Sequence, residues 1–346
     1  GIALLTVQPL ALAIGKKLAP LYKATAKVSS AAAGERMGFI IAAISFWVIG
    51  YAFLQLVGIF VRERIPASKE SRSLKENFAL MWKNKPFRQI LLSGLLGSPR
   101  YLLLLAAMPL VTYYYASKNP MTALLFMILL GGGMFVGQFA AMGISPKLID
   151  KFAKKDIYNY SNLFSVIPFA ALFVLYISAP TKLVEPVYLA ICFVLFMAGG
   201  ASNGFSAVLQ SFMIADAVDY EEYNSGIRPD GVFFAGLTFI GKLCTGIATI
   251  ISGIAYTIVG FSDAKVGELN TFIAHGGIPR LSSKYDPYMM ILFFLVSIPP
   301  AIGGILSVIP TWKYALSDEE HKRILAELNE RRHKESDSDA IPELNN

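Results

Sequence analysis

Seven stretches of this 346-residue chain stay mainly apolar for more than twenty residues, and they decide the solvent in which it folds. A helix needs about 20 such residues to cross roughly 30 Å of hydrocarbon. Inside the hydrocarbon only helices and closed barrels satisfy every backbone N–H and C=O. The stretches are 37–61, 87–115, 121–144, 158–179, 186–215, 231–260 and 287–312, too long for strands. The expected class is therefore an all-α integral membrane protein. Residues 1–15 are also apolar but end at Lys16 and Lys17, too soon to span. Because the sequence opens on Gly, it is expected to start partway through an eighth span. No charged leader or small-residue cleavage site marks a signal peptide.

Charge supports this reading. Only 16% of residues are charged, where a soluble domain carries roughly 25%. The net charge of +7 could suggest nucleic acid, but the Lys and Arg fall between apolar blocks, so nucleic acid is not an expected partner. They act instead as topology signals. Loops 62–88, 145–157, 216–230 and 313–346 hold 19 Lys and Arg against 10 in the opposite loops. The positive-inside rule makes the richer side cytoplasmic, with the C-terminus on it and the 16–36 loop an exception.

The domain plan is a remnant bundle over 1–61, a middle loop over 62–86, a six-helix bundle over 87–316 and a cytoplasmic tail over 317–346. In the middle loop Ser73-Leu-Lys-Glu76 is a capping box, followed by Leu74, Phe78, Met81 and Trp82 on one face, the pattern of a helix lying in the interface. Ser317-Asp-Glu-Glu320 starts a second amphipathic helix before Ile324, Leu325 and Leu328, and the last dozen residues read as disordered.

Cys192 and Cys244 sit in apolar stretches as small hydrophobes. His275, His321 and His333 lie in loops or the tail without metal-site spacing. No catalytic constellation is present, so an enzyme is not expected. Charges inside the hydrocarbon are more informative, because each costs a few kcal/mol. Lys242 lies near the middle of 231–260, with Thr238 on the same face four residues earlier. The pair suits a polyhydroxylated or anionic solute, or else an ion pair locking two helices. Gly236, Gly241, Gly246 and Ala248 crowd this helix, as close packing around a cavity requires.

Arg100 is the second, midway along 87–115 in Gly97-Ser-Pro-Arg100, where Gly and Pro can break the helix. It either serves a site or gate, or snorkels from a kinked helix. Asn203 and Gln210 share a face seven residues apart; with Gln138, they read chiefly as interhelical hydrogen-bonding groups, and Asn203 and Gln210 are also carried as candidate substrate- or ion-binding residues. Tyr113, Tyr114 and Tyr115 read as interfacial anchors. Between two spans lies the densest charge cluster: Asp216, Asp219, Tyr220, Glu221, Glu222 and Tyr223, followed by Arg228 and Asp230. If the helix runs past Ala215, Asp216, Asp219 and Tyr223 share a face. That face is either solvated or a latch meeting Arg228 or a basic loop.

The run Met213-Ile-Ala-Asp216-Ala-Val-Asp219-Tyr220-Glu-Glu-Tyr-Asn-Ser-Gly226-Ile-Arg228-Pro-Asp-Gly231, with Lys242 eleven residues on, resembles the glycoside–pentoside–hexuronide:cation symporter family, a melibiose-permease-like branch of the major facilitator superfamily. Residues 145–155 and Lys83-Asn-Lys-Pro-Phe87 resemble further stretches of that family. Asp230 and Tyr223 depart from it, standing where it often has Glu and Trp or Phe, and Arg100 matches none of its motifs. The resemblance implies a twelve-span fold of which this chain holds about eight, spans five to twelve, with the fifth truncated. It implies that Lys242 and Thr238 border the sugar and cation site and that Asp216, Asp219 and Arg228, with Tyr220 and Glu222 beside them, form a cytoplasmic gate. The expected function is secondary transport of a glycoside, pentoside or hexuronide coupled to Na⁺ or H⁺ in the plasma membrane. No cofactor is expected beyond that ion. Expected partners are the sugar, the bilayer and N-terminal helices of the same protein. The alternative is a carrier of a non-sugar solute such as a lysolipid or drug.

Overall fold

Helix-breaking residues and loop charges divide the apolar stretches into the elements of a computed structural model, which describes residues 10–11, 13–22, 30–60, 73–115 and 120–340. Every regular element among the described residues is helical. Most of the expected partial span at 1–15, the loop cations Lys23 and Lys27, and residues 61–72 and 341–346 lie outside them. Six helices among the described residues are long and apolar enough to cross a membrane, and a bent helix pair makes a seventh when its two halves count as one span. These account for all seven expected spans. The chain divides into two compact units, Gly1–Pro66 with Met127–Gly132 and Ala67–Phe126 with Gly133–Asn346.

The first unit is built on α1 (Ser30–Phe60), which is apolar nearly all round. Trp47, Phe53 and Phe60 are exposed along it, as a lipid-facing helix requires. Its first turns approach the preceding segment closely: a Cβ on Gly38 would fall 2.1 Å from the Ala11 carbonyl oxygen.

The second unit begins with α2 (Leu74–Lys83). Ser73 and Glu76 form both halves of the expected capping box. Leu74, Phe78 and Trp82 are exposed while Met81 is buried, so α2 presents an apolar face outward. The stretch 87–115 is broken as its Gly-Ser-Pro-Arg sequence suggests. α3 (Lys85–Leu96) and α4 (Tyr101–Tyr113) flank a 3₁₀ turn at Ser98–Arg100, and the two halves bend by 43°. α5 (Pro120–Ile149) follows. α6 (Lys154–Phe164) and α7 (Val166–Ser178) then make one crossing interrupted at Ser165.

α8 runs from Pro186 to Ser225, 40 residues. At 1.5 Å per residue it is about 60 Å long, twice the hydrocarbon thickness, so its acidic end projects beyond the apolar layer. It stops at Gly226, whose φ of 72° is left-handed backbone that glycine adopts without strain. The helices α9 (Asp230–Ile258), α10 (Asp263–Ala274), α11 (Asp286–Thr311) and α12 (Asp318–Ala340) complete the unit. α10 lies in a stretch read from sequence as loop. α12 keeps helical backbone through Ala340, well into residues expected to be disordered. α11 is the most buried crossing and packs against α3, α4, α6 and α7.

Packing decides the role of two groups of residues. Tyr114 and Tyr115 are fully buried, not interfacial anchors. The Tyr114 hydroxyl donates to the Pro180 carbonyl at 2.9 Å and accepts from the Leu183 N–H at 3.3 Å, and its ring packs against Phe293. The loop after α7 supplies backbone partners that the sequence does not reveal. Tyr114→Phe is therefore expected to lower stability by about 1–3 kcal/mol through loss of these bonds. Thermal unfolding in detergent measures this, and an unchanged midpoint would show the hydroxyl to be dispensable. The second group is the set of small residues where α5 crosses α8. A Cβ on Gly137 would lie 1.8 Å from the Met197 carbonyl oxygen, and one on Gly200 2.0 Å from that of Met134. The backbones touch there, and hydrogen-sized side chains are what allow it.

Candidate functional site

The projecting end of α8 organises a chain of ions in the second unit. Arg228, just beyond the Gly226 turn, donates from Nη1 to Asp219 Oδ1 at 2.7 Å and Glu222 Oε2 at 2.6 Å, and from Nε to Asp230 Oδ2 at 2.8 Å. Burial lowers the pKa of its guanidinium, but the bonds to Glu222 and Asp219 more than offset this and the net shift is upward. Glu222 also accepts from Arg332 of α12 through both oxygens, at 2.7 and 2.8 Å. Asp219 and Glu222 thus meet Arg228 as the latch reading expects.

Asp216 does not join them there. Its carboxylate pairs with Lys154 at the start of α6, Nζ to Oδ2 at 2.5 Å. One helical turn separates Asp216 from Asp219, which aims them at different neighbours. His321 of α12 bridges the two, with Nε2 at 3.1 Å from Asp219 Oδ2 and Nδ1 at 3.5 Å from Asp216 Oδ1. Tyr220 contributes packing instead of an ion contact, lying against Leu316, Ile324 and Leu328. Asn84 caps α3 through its Oδ1 and donates from Nδ2 to Glu221 and to the Ala217 carbonyl. A single connected ion network therefore ties α6, α8, α9 and α12 together, and Asn84 separately joins α3 to the same end of α8.

Lys154, His321, Arg332 and Asn84 do not stand out in the sequence as site residues. Lys154 has a signal, since it lies in the basic loop of the family resemblance. His321 has only its place in the first turn of the tail helix.

Deeper in the same unit a cavity of about 310 Å³ opens between α3, the Ser98–Arg100 turn, α4, α6, α8 and α9. Arg100, Tyr101, Tyr158, Ser206, Gln210 and Ser211 give it a polar wall, and Leu237, Ile240 and Cys244 an apolar one. The broken helix places Arg100 here. Its Nη2 donates to Asn162 Oδ1 at 2.7 Å and Ser307 Oγ at 3.0 Å, so it is held inward by α6 and α11 and does not snorkel. Asn162 is in turn fixed by a bond to the Tyr158 carbonyl and one from Ser206.

Gln210 and Arg100 are thus brought together on one cavity. Asn203 is not part of the lining, two turns away along α8. Lys242 and Thr238 also fall elsewhere. They share a face of α9, as their spacing predicts, but that face is exposed. The Thr238 hydroxyl bonds back to the Phe234 carbonyl at 2.9 Å. Neither residue borders the cavity, because α9 turns Leu237, Ile240, Gly241 and Cys244 towards it instead. Of the small residues on α9, Gly236 packs on Met81 and Phe87, while Gly246 meets open space. Among the described residues no cluster of three or more His, Cys, Asp or Glu is arranged to hold a metal ion.

Membrane-spanning helices, a cavity with a polar wall at a broken helix and an ion network at one end define a transporter-like bundle. A family model described as MFS/sugar transport protein matches residues 2–318, and the chain belongs to that family. Among its relatives, the putative sulfoquinovose importer of Escherichia coli strain K12 is 23% identical over 322 residues, covering 86% of this chain and 58% of the importer. The inner membrane symporter YicJ of the same strain is 24% identical over 294 residues, covering 84% of this chain and 55% of the symporter. The chain thus spans little more than half the length of these relatives.

Proposed function

We propose that this chain is part of a secondary transporter that moves a sugar or glycoside with Na⁺ or H⁺ by alternating access in the plasma membrane. The observation that carries the reading is the cavity at the broken α3–α4 crossing, where a guanidinium, an amide and hydroxyls converge beside apolar helix surface. A polyhydroxylated solute needs that mixture. Names of relatives as a sulfoquinovose importer and as a symporter favour a sugar substrate and a coupling ion. The activity is proposed for a carrier of the relatives' full length, with further helices of the same protein completing the site.

In this reading Lys242, Thr238 and the exposed Thr249 form a polar stripe on α9 that is too costly to leave in lipid and faces the solute path. Asn203 stands closer to a packing role than to the substrate. The network of Asp216, Asp219, Glu222 and Arg228, with Lys154 and His321, closes the cytoplasmic side in one state and parts in the other. The C-terminus is then cytoplasmic, as the loop charges require.

The test is uptake into proteoliposomes containing the full-length carrier, with a panel of labelled sugars and an imposed Na⁺ or proton gradient. Gradient-driven uptake that collapses with an ionophore is the expected result, cut at least about tenfold by Lys242→Ala, as loss of one charged contact implies. Absence of uptake for every sugar would overturn the reading in favour of a non-sugar solute such as a lysolipid or drug. The polar wall argues against the lipid.

A further inference from the structure

We propose that Arg100 anchors an acidic group, a carboxylate or a sulfonate, on the transported solute, so that this carrier selects charged sugars over neutral ones. The inference rests on the transport reading and adds to it the charge of the substrate.

A guanidinium has five N–H donors in a rigid fork. Arg100 gives two bonds, both from Nη2 and both to neutral oxygens, Asn162 Oδ1 and Ser307 Oγ. It makes no ion pair among the described residues, whereas Arg228 makes three carboxylate contacts. A cation within a membrane bundle without a counter-ion is costly, and such groups either find an anion or serve one that comes and goes. The remaining donors of Arg100, on Nε and Nη1, bond to nothing among the described residues. They are not among the buried polar atoms that lack a partner, so they are reachable. Arg100 lines the 310 Å³ cavity.

Two further groups on that cavity are in the same condition. The Gln210 amide and the Tyr101 hydroxyl line it, make no hydrogen bond among the described residues and are not sealed from it. Ser211, by contrast, is satisfied by the Ala207 carbonyl. An open guanidinium face, an amide and a phenol around a space of this size match one acidic group and two or three hydroxyls of a monosaccharide. The volume is at the low end for small-molecule sites, which span roughly 300–1,000 Å³. The bonds from Nη2 to Asn162 and Ser307 hold the fork in place, and a planar acid oxygen pair can meet it through two parallel bonds.

The test measures binding to the purified full-length carrier of methyl glucuronide, methyl 6-deoxy-6-sulfoglucoside and uncharged methyl glucoside. Wild type is expected to prefer at least one charged sugar over the glucoside by about tenfold or more, the scale of a charge-assisted hydrogen bond. The carboxylate and sulfonate arms tell which acid it takes. Arg100→Gln should bind all three alike, while Arg100→Lys keeps the sign of the preference with a smaller ratio because its charge remains but the fork is lost. If Arg100→Gln does not fold, the ratios measured for wild type and Arg100→Lys decide between the outcomes. Equal binding of charged and neutral sugars by wild type, or a preference that survives in folded Arg100→Gln, would overturn the assignment and leave sugar transport standing. Failure of wild type to bind any sugar would remove the transport reading itself.

Discussion

Replacing Gly200 with leucine is expected to prevent the second unit from folding, with a loss of at least about 3 kcal/mol. Overpacked cores typically lose about 1–3 kcal/mol because side chains and backbone must shift. Here the first added atom would meet the Met134 carbonyl at 2.0 Å, and Gly137 on the facing helix has the same problem with the Met197 carbonyl at 1.8 Å. No rotamer change can relieve a contact between a Cβ and backbone, so α5 and α8 would have to separate. That separation also breaks the contact at Gly204, whose Cβ would lie 2.3 Å from the Gln138 carbonyl. Gly143→Ala on α5 provides the comparison. That position meets nothing within 4 Å, and Ala in a helix interior is favoured by about 0.5–1 kcal/mol over Gly. Detergent-solubilised Gly200→Leu should aggregate or elute early on size exclusion, and Gly143→Ala should behave as wild type. A monodisperse Gly200→Leu protein with an unaltered melting midpoint would refute the tight crossing.

Arg228→Ala is the second large effect. It strands Asp219 and Glu222, both largely buried, as neighbouring like charges. Removing one member of a buried ion pair costs about 3–5 kcal/mol, and since Asp219 keeps His321 and Glu222 keeps Arg332, about 2–4 kcal/mol is expected. The folded-state pKa of Arg228 is raised, so its contribution is fully present below the ordinary arginine range and is lost only as pH rises beyond it. The part of the deficit that comes from the guanidinium itself should accordingly be the same at pH 6 and pH 8. A double-mutant cycle with Asp219→Asn isolates the pair, and a coupling energy near zero would show that the contact adds nothing. In the proposed gate the same substitution should also favour the state open to the cytoplasm, seen as faster thiol labelling of a cysteine introduced nearby.

Much of this is legible in one dimension. Span number and position follow from apolar length alone, because lipid leaves the backbone no alternative to a complete helix. The break at Gly97–Arg100 follows from a glycine and a proline two residues apart, whereas the continuation of α8 past Ala215 to Ser225 is seen only in the structure. Capping at Ser73 and Ser317 is equally readable, since each reaches only three residues ahead. The acidic run announces an ion network, but its pairing is not written in it. Asp216 and Asp219 are three residues apart and yet meet Lys154 and Arg228, 62 and 9 residues away, with His321 between them from the far end of the chain. Spacing puts residues on a face and does not say what that face meets.

The membrane site shows the same division. Lys242 draws attention because a charge in hydrocarbon is expensive, and the cost is the same whichever way the side chain points. Tertiary packing turns it to an exposed face of α9 and gives the cavity to Arg100 and Gln210, which rest on α4, α6, α8 and α11 as much as on their own sequence neighbours. Sequence by itself determined that the chain is a helical bundle in a bilayer and which residues would be costly there, because these depend on local composition and on the solvent. Only the tertiary structure decided which of those residues share a cavity and which are tied to a counter-ion, because that depends on how the helices are rotated and packed against one another.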